Sequence, residues 1–555
     1  MAEGTQGSGH DTIAAHLRSR AGDDHPALLF EGETWTWAEV VSEAEARARL
    51  LEDIRAEPFH VGVLLENVPE YVFLLFGAAL AGATVVGVNS TRRGAELERD
   101  IRHTDCQAVF TDSALAPMLD GLDLGPAEPV VVDSSAYTSR VDAHRHGPPV
   151  SASPDPGTLY LLVFTAGSTG APKAVRMSQG RAARTASDTA RAFGPDDVLY
   201  CSMPLFHGNA LVANLFPALI AGAGVVLRRR FSASAFLDDV RRHRCTYFNY
   251  VGRALSYIVS VPESPAERDT ALKWALGSEA SPQNIAEFTR RFGVPVFEGY
   301  GSSENAVVIA PAPGAPPGAL GRPKPGIDVA VVNPETGEEC PPARLDADGR
   351  LANPDEAIGE IVGRNSADRF EGYYNNPEAE AQRLRNGWYW TGDLGYRDAD
   401  GFFYFAGRTA DWIRVDGENF SAGAVERILN RLPGTAGVAV YGVPDPRTGD
   451  QVMAAVEMED PAAFDPAAFS HFLGSQPDLG TKWAPRFVRL LGALPVTGTG
   501  KVDKAPLRSQ SWETSDPVWW RPGRDLTFRL MTTEDRSDLR AQFERSGRGQ
   551  LLPSG

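Results

Sequence analysis

Phe164-Thr165-Ala166-Gly167-Ser168-Thr169-Gly170-Ala171-Pro172-Lys173 follows directly on Leu159-Tyr160-Leu161-Leu162-Val163, an apolar run preceded by Pro154, Pro156 and Gly157. A short apolar run bounded by turn residues reads as a buried strand, here feeding a loop. The loop has the chemistry for close approach to an anion. Gly167 and Gly170 carry no Cβ, so their N–H groups can face phosphate oxygens. Thr165, Ser168 and Thr169 add hydroxyl donors, and Lys173 adds a positive charge. The spacing is not that of a Walker A loop, which needs Gly-x-x-x-x-Gly-Lys-Ser/Thr. Taken alone, the stretch is equally explained as a flexible surface loop.

Outward from this loop, strands and helices alternate. Ala27–Phe30 and Glu33–Thr36 read as a hairpin around Glu31-Gly32, and Ala38–Leu51 follows as a helix. Val61–Leu65 reads as a strand. The apolar runs Tyr71–Val88 and Ala210–Leu227 share the pattern Ala79-Leu80-Ala81-Gly82-Ala83 and Leu219-Ile220-Ala221-Gly222-Ala223. Each reads as a buried helix, a turn and a β-branched strand. Interruption by glycine and Pro217 argues against a membrane span. Such alternation predicts an α/β architecture with two similarly built sheet layers in one large domain. From Gly359 the pattern shifts to short strands (359–363, 388–390 and 402–405), a small β-barrel-like unit. After Gly407 a compact α+β segment begins, with a helix over 422–432 and strands over 437–441, 452–457 and 487–491. The predicted division is residues 1–407 and a small mobile domain over 408–555. The tail from Ser509, with Leu539, Phe543 and Leu551 among charges, reads as a docked extension.

The length of 555 residues is too great for a single core. A net charge of −18 argues against a nucleic-acid partner. Cys106, Cys201, Cys245 and Cys340 are widely spaced, which argues against a disulfide framework or zinc site. The polar start, without an apolar signal core, fits a cytoplasmic protein. Oligomeric state is left open, a homodimer among the options.

Three further stretches carry chemistry. Phe297-Glu298-Gly299-Tyr300-Gly301-Ser302-Ser303-Glu304-Asn305 sets a ring, a hydroxyl and a carboxylate within one loop. A ring can stack on a purine, a hydroxyl can bond an α-phosphate, and a carboxylate can hold Mg²⁺. Tyr389-Trp390-Thr391-Gly392-Asp393-Leu394-Gly395, followed by Gly407-Arg408, offers an acidic group to ribose hydroxyls. Leu494-Pro495-Val496-Thr497-Gly498-Thr499-Gly500-Lys501 places a lysine on a glycine loop. Each alone is equally a turn, an Asx motif or a solvated charge.

In this order the four stretches resemble the acyl-adenylate-forming ligase superfamily, from about Phe30 to about Leu507. The chain looks most like the fatty-acid and very-long-chain acyl-CoA synthetases, through 250–257, Asp416-Gly417-Glu418-Asn419-Phe420 and the tail carrying Trp519-Trp520-Arg521-Pro522. The resemblance implies an ATP- and Mg²⁺-dependent acid–thiol ligase that forms an acyl-AMP from a long-chain or polycyclic carboxylic acid and passes the acyl group to coenzyme A. Thr165, Ser168, Thr169, Gly170 and Lys173 would wrap the β,γ-phosphates. Tyr300 and Gly301 would face adenine, with Gly277, Ser278 and Glu279 on its other side. Ser303 would bond the α-phosphate and Glu304 would hold Mg²⁺. Asp393 and Arg408 would bind ribose, and Lys501 would bridge carboxylate and α-phosphate. Phe206, Tyr250, Val251 and Gly252 would line the acyl pocket, with His207 as its gate. Gly417, Glu418 and Asn419 would meet the CoA thiol arm, and Ala410 would lie at the hinge.

The sequence departs from the superfamily pattern at Ala166, where Ser is usual, at Ala174, where Gly is common, and at Ala410, often Asp or Lys. Loss of a phosphate donor at 166 raises an alternative: a thioesterification-only ligase served by a partner adenylating enzyme. A non-catalytic acyl or nucleotide sensor and transfer to a carrier protein are further alternatives.

Overall fold

The structure is a computed structural model that describes residues 11–165, 173–251, 254–278, 280, 282–346, 351–408, 412–415, 418–446, 450–458, 460–476, 479–480, 482–497, 501–523, 525–546 and 548–552. Backbone packing divides the chain into two compact units, Met1–Ala306 with Asp368–Gln382, and Val307–Ala367 with Arg383–Gly555.

The first unit holds two sheets of like construction. One is seven-stranded, in the order Val296–Glu298, Trp274–Gly277, Tyr247–Asn249, Val198–Cys201, Gly224–Leu227, Pro26–Phe30, Glu33–Thr36. The other is six-stranded, in the order Glu128–Val131, Ala108–Thr111, His60–Leu64, Thr84–Gly87, Leu159–Thr165, Lys173–Ser178. In each, only the last strand named runs antiparallel to its neighbour. The predicted hairpin turns on Glu31 and Gly32, both at positive φ, which matches the right-handed twist of the flanking strands. Thr36 then caps the helix Trp37–Glu52 through a reciprocal bond with Glu39.

The two apolar runs explain the resemblance between the sheets. The first is the helix Pro69–Ala81, Gly82 at φ 72°, and the strand Thr84–Gly87. The second ends in the helix Phe216–Ala221, Gly222 at φ 74°, and the strand Gly224–Leu227. Both glycines take the left-handed conformation that ends a helix and returns the chain to its sheet, where a Cβ would be strained. Each run thus supplies a core strand to a different sheet. No described helix is long and apolar enough to cross a membrane. All four cysteines are free.

The second unit contains a five-stranded antiparallel sheet of Val329–Val332, Gly359–Gly363, Trp388–Arg397, Leu384–Arg385 and Phe403–Arg408, where the small β unit was expected. Beyond it lies a five-stranded sheet in the order Thr435–Pro444, Asp450–Met458, Phe487–Leu491, Val518–Trp520, Arg529–Leu530. The helix after Gly407 runs Ala422–Leu429, short of the predicted Leu432. Pro433 follows, and a residue before proline is pushed out of the helical region. The tail is docked: its strands complete the sheet, and Trp512, Leu539 and Phe543 lie in one core cluster with Phe487 and Trp520.

Candidate active site

In the first unit, Thr165 ends one strand and Lys173 begins the next, paired directly opposite one another. The loop between them, with Ala166, Ser168, Thr169 and Gly170, lies outside the described residues. Ala174 is fully buried in the second strand. The loop bearing Phe206, His207 and Gly208 reaches this strand end: a Cβ on Gly208 would lie 3.8 Å from both Val163 Cγ1 and Ser303 Oγ. The His207 ring rests on Phe206 at 4.5 Å between centroids, and the His207 backbone N–H donates to the carbonyl of Pro204 at 3.0 Å.

Ser303 and Glu304 sit on a tight turn. Asn305 is left-handed at φ 49°, its N–H donates to Ser302 O at 2.9 Å, and its side chain donates to Thr185 Oγ1 at 2.8 Å. Arg181, 4% exposed, braces the turn by donating to Ser303 O at 2.9 Å and to Arg176 O at 2.8 Å. Glu304 is itself buried, and one of its carboxylate oxygens accepts the hydroxyl of Tyr373 at 2.6 Å. Tyr373 belongs to Gly372-Tyr373-Tyr374-Asn375-Asn376-Pro377, a stretch that sequence reasoning passed over although its Asn-Asn-Pro ending marks a constrained turn.

The segments that the resemblance assigns to adenine are brought together by pairing between neighbouring strands. Gly277 lies opposite Glu298, and Gly299 N–H donates to Gly277 O at 3.1 Å, so the segments bearing Gly277-Ser278 and Tyr300-Gly301 are adjacent. Gly277 is required by a close approach: a Cβ there would lie 2.2 Å from Tyr250 Cζ. The Tyr250 ring is buried and its hydroxyl donates to Glu298 at 2.6 Å. Burial and the nearby Glu298 charge hold that phenol far above its ordinary range. Val251 is half-buried beside it, while Gly252 and Glu279 lie outside the described residues.

In the second unit, Asp393 pairs directly across the sheet with Arg408. The strand carrying Asp393 is bulged against both neighbours, between Glu360 and Val362 on one side and at Leu394/Gly395 on the other. Bulges re-aim side chains where function needs them. The first bulge is pinned by Glu360, 3% exposed, which accepts the Gly392 N–H at 2.8 Å. Thr391 adds a hydroxyl that donates to Ile361 O at 2.7 Å and accepts from Asp393 N at 3.1 Å. Burial pushes the Glu360 carboxyl up. Sequence reasoning missed Glu360, an acidic residue in an otherwise apolar strand.

Lys501 is tied to the residues before 498: Thr497 N donates to Lys501 O at 2.7 Å, and Val496 bridges Val502. Asp503 caps the next helix, and Lys504 pairs with Glu426 at 2.8 Å. Glu418 and Asn419 lie on the strand Glu418–Ser421, opposite Val415 and Arg414. Gly417 and Ala410 lie outside the described residues. For Arg408, Glu418 and Asn419 only the backbone is described.

The model of the AMP-binding enzyme family matches residues 16–374, and that of the AMP-binding enzyme C-terminal domain matches 424–501. The chain is 54% identical over 548 residues to a steroid-22-oyl-CoA synthetase of Rhodococcus jostii (strain RHA1), covering 98% of this chain and 99% of that protein. It is 44% identical over 503 residues to a medium/long-chain-fatty-acid–CoA ligase of Mycobacterium marinum, covering 90% and 95%. Among solved structures, ATP-bound MatB from Rhodopseudomonas palustris superposes with a TM-score of 0.78 at 25% identity, covering 90% of this chain and 98% of that one. With these matches spanning most of its length, the chain belongs to the AMP-binding enzyme family, as an AMP-forming acid–thiol ligase.

Proposed function

We propose that this protein activates a bulky polycyclic carboxylic acid of the steroid-22-oic class and transfers it to coenzyme A in the cytoplasm. The observation that carries the substrate class is the full-length likeness to the steroid-22-oyl-CoA synthetase. In the first half-reaction a carboxylate oxygen attacks the α-phosphorus of ATP, and pyrophosphate leaves. In the second, the CoA thiolate attacks the acyl carbon of the mixed anhydride, and AMP leaves with the bonding pair.

The residues divide this work. Thr165, Ser168, Thr169, Gly170 and Lys173 hold the departing phosphates. Ser303 orients the α-phosphate, braced through its carbonyl by Arg181. Asp393 and Arg408 hold ribose from adjoining strands. Lys501 neutralises the charge of two anions brought together, a task in which one aimed donor contributes about 3–4 kcal/mol. Tyr300 stacks on adenine. Phe206, Tyr250, Val251 and Gly252 surround the acyl group, and His207 gates it. Gly417, Glu418 and Asn419 receive CoA after rotation of residues 408–555 about Ala410.

Glu304 fits Mg²⁺. One of its oxygens is engaged by Tyr373, and the other makes no hydrogen bond among the described residues. No cluster of three or more His, Cys, Asp or Glu among those residues offers a closed cage. One carboxylate completed by phosphate oxygens suits this cation, which keeps water and phosphate in its shell. When bound, the ion offsets charge on the nucleotide.

A second reading rests on Ala166, which removes one hydroxyl from the phosphate loop. It makes the chain a thioesterification enzyme fed with acyl-AMP. A paired assay separates the two: acid, ATP, Mg²⁺ and CoA in one arm, synthetic acyl-AMP and CoA in the other. Thioester in both arms supports the full ligase. Thioester from acyl-AMP alone supports the second reading, and none from tetracyclic acids in either arm refutes the substrate class.

A further inference from the structure

Three asparagines in the first unit form a chain of amides that ends at the protein surface. Asn214 lies on Leu211–Leu215, a single π-helical turn, a wider winding frequent at functional sites. It is fully buried, and its amide nitrogen donates to Tyr200 O at 3.0 Å and to Asn249 Oδ1 at 2.7 Å. Asn249, 1% exposed, donates in turn to Asn209 Oδ1 at 2.8 Å and to Met203 Sδ at 3.6 Å. Asn209 is exposed, and its side chain makes no other hydrogen bond among the described residues.

The direction of every amide follows from one anchor. The Tyr200 carbonyl can only accept, so Asn214 must turn its NH₂ toward it. The second hydrogen of that NH₂ fixes Asn249 with its oxygen inward and its NH₂ outward. Asn209 must then accept with its oxygen, which leaves its own NH₂ facing out. Asn214 retains this orientation although its Oδ1 is buried with no hydrogen-bond partner among the described residues. Such an atom costs about 1–3 kcal/mol. Reversing the amide would set oxygen against the Tyr200 oxygen and reverse the whole relay.

The relay joins the two stretches assigned to the acyl site. Asn209 follows Gly208, whose missing Cβ faces Ser303 and Val163, and Asn249 precedes Tyr250 and Val251. We infer that Asn209 is a specificity residue whose oriented NH₂ donates to an oxygen substituent, a ketone or hydroxyl, on the body of the acid beyond its carboxylate. This rests on the acyl-site assignment of the proposed function and adds to it a polar feature that a plain hydrocarbon chain lacks.

The test uses the full chain with two tetracyclic acids, one bearing a ring ketone or hydroxyl and one with that position reduced to CH₂, and with Asn209→Leu and Asn209→Ala. The readout is the ratio of kcat/KM for the oxygenated acid to that for its deoxy partner. Wild type favours the oxygenated acid, and both variants lower the ratio about five- to tenfold, one neutral hydrogen bond's worth. An unchanged ratio, or an equal loss on both acids that would place Asn209 on the carboxylate, overturns the inference while leaving the proposed function standing. Absence of wild-type turnover on either acid overturns both.

Discussion

Replacing Tyr373 with Phe deletes a single oxygen from the best-defined contact of the candidate site. Tyr373 and Glu304 are 2% and 5% exposed, and their hydrogen bond is 2.6 Å long. Phe fills the same space, so the packing with Phe370 at 5.0 Å is kept. A hydrogen bond to a charged group contributes about 1.5–3 kcal/mol. If Tyr373 orients Glu304 toward the nucleotide, that energy is realised as pyrophosphate leaves, and adenylation slows by about 10- to 150-fold. The second half-reaction, after pyrophosphate has gone, keeps its rate. The assay follows pyrophosphate release from acid and ATP across a Mg²⁺ titration, and thioester formation from synthetic acyl-AMP. The variant should also need more Mg²⁺ for half-maximal rate. Equal loss in both half-reactions would reduce Tyr373 to a packing residue, and an unchanged pyrophosphate rate would refute its positioning of Glu304.

Three other substitutions probe other parts of the molecule. Lys501→Ala should lower adenylation at least about a hundredfold while leaving thioester formation from acyl-AMP in place, measured in the same two assays. Gly277→Ala drives a methyl into the Tyr250 ring, which is tied to Glu298, and should destabilise the chain by about 1–3 kcal/mol in urea unfolding with a weakened nucleotide Kd. Asp100, 1% exposed, has its carboxyl pushed up to about 6 by burial, against the opposing pull of Arg92. Between about pH 4 and 6 the folded chain therefore holds a proton that the unfolded chain has released. Stability from this group falls as pH rises through that window, by up to about 3 kcal/mol, and Asp100→Asn should flatten the slope in chemical denaturation at successive pH values.

Much of the fold was legible because its signals are local. The alternation of apolar runs with Gly82 and Gly222 marks helix ends and strand starts within a few residues, and helix capping by Thr36 and Glu39 is a three-residue matter. The segments proposed to face the nucleotide stood out for the same reason: glycine, hydroxyl and charge gathered in one loop suit an anion, although each loop taken alone is equally a turn. Side chains that hold those segments in place were not. Tyr373 lies far from Glu304 in sequence, Arg181 far from Ser303, and a lone Tyr or Arg carries no pattern of its own.

By itself the sequence determined the family and the α/β architecture, and it set the order of the four stretches proposed to meet the phosphates, adenine, ribose and the reacting anions. Backbone donors, chain reversals and hydrophobic period are properties of contiguous residues. Only the tertiary structure decided that Tyr250 fills the space above Gly277, that Glu360 pins the bulge beneath Asp393, and that Asn214, Asn249 and Asn209 face one way. Each depends on a buried polar group finding its partner across strands or helices. Burial makes that pairing energetically compulsory, but nothing in the local sequence names the partner.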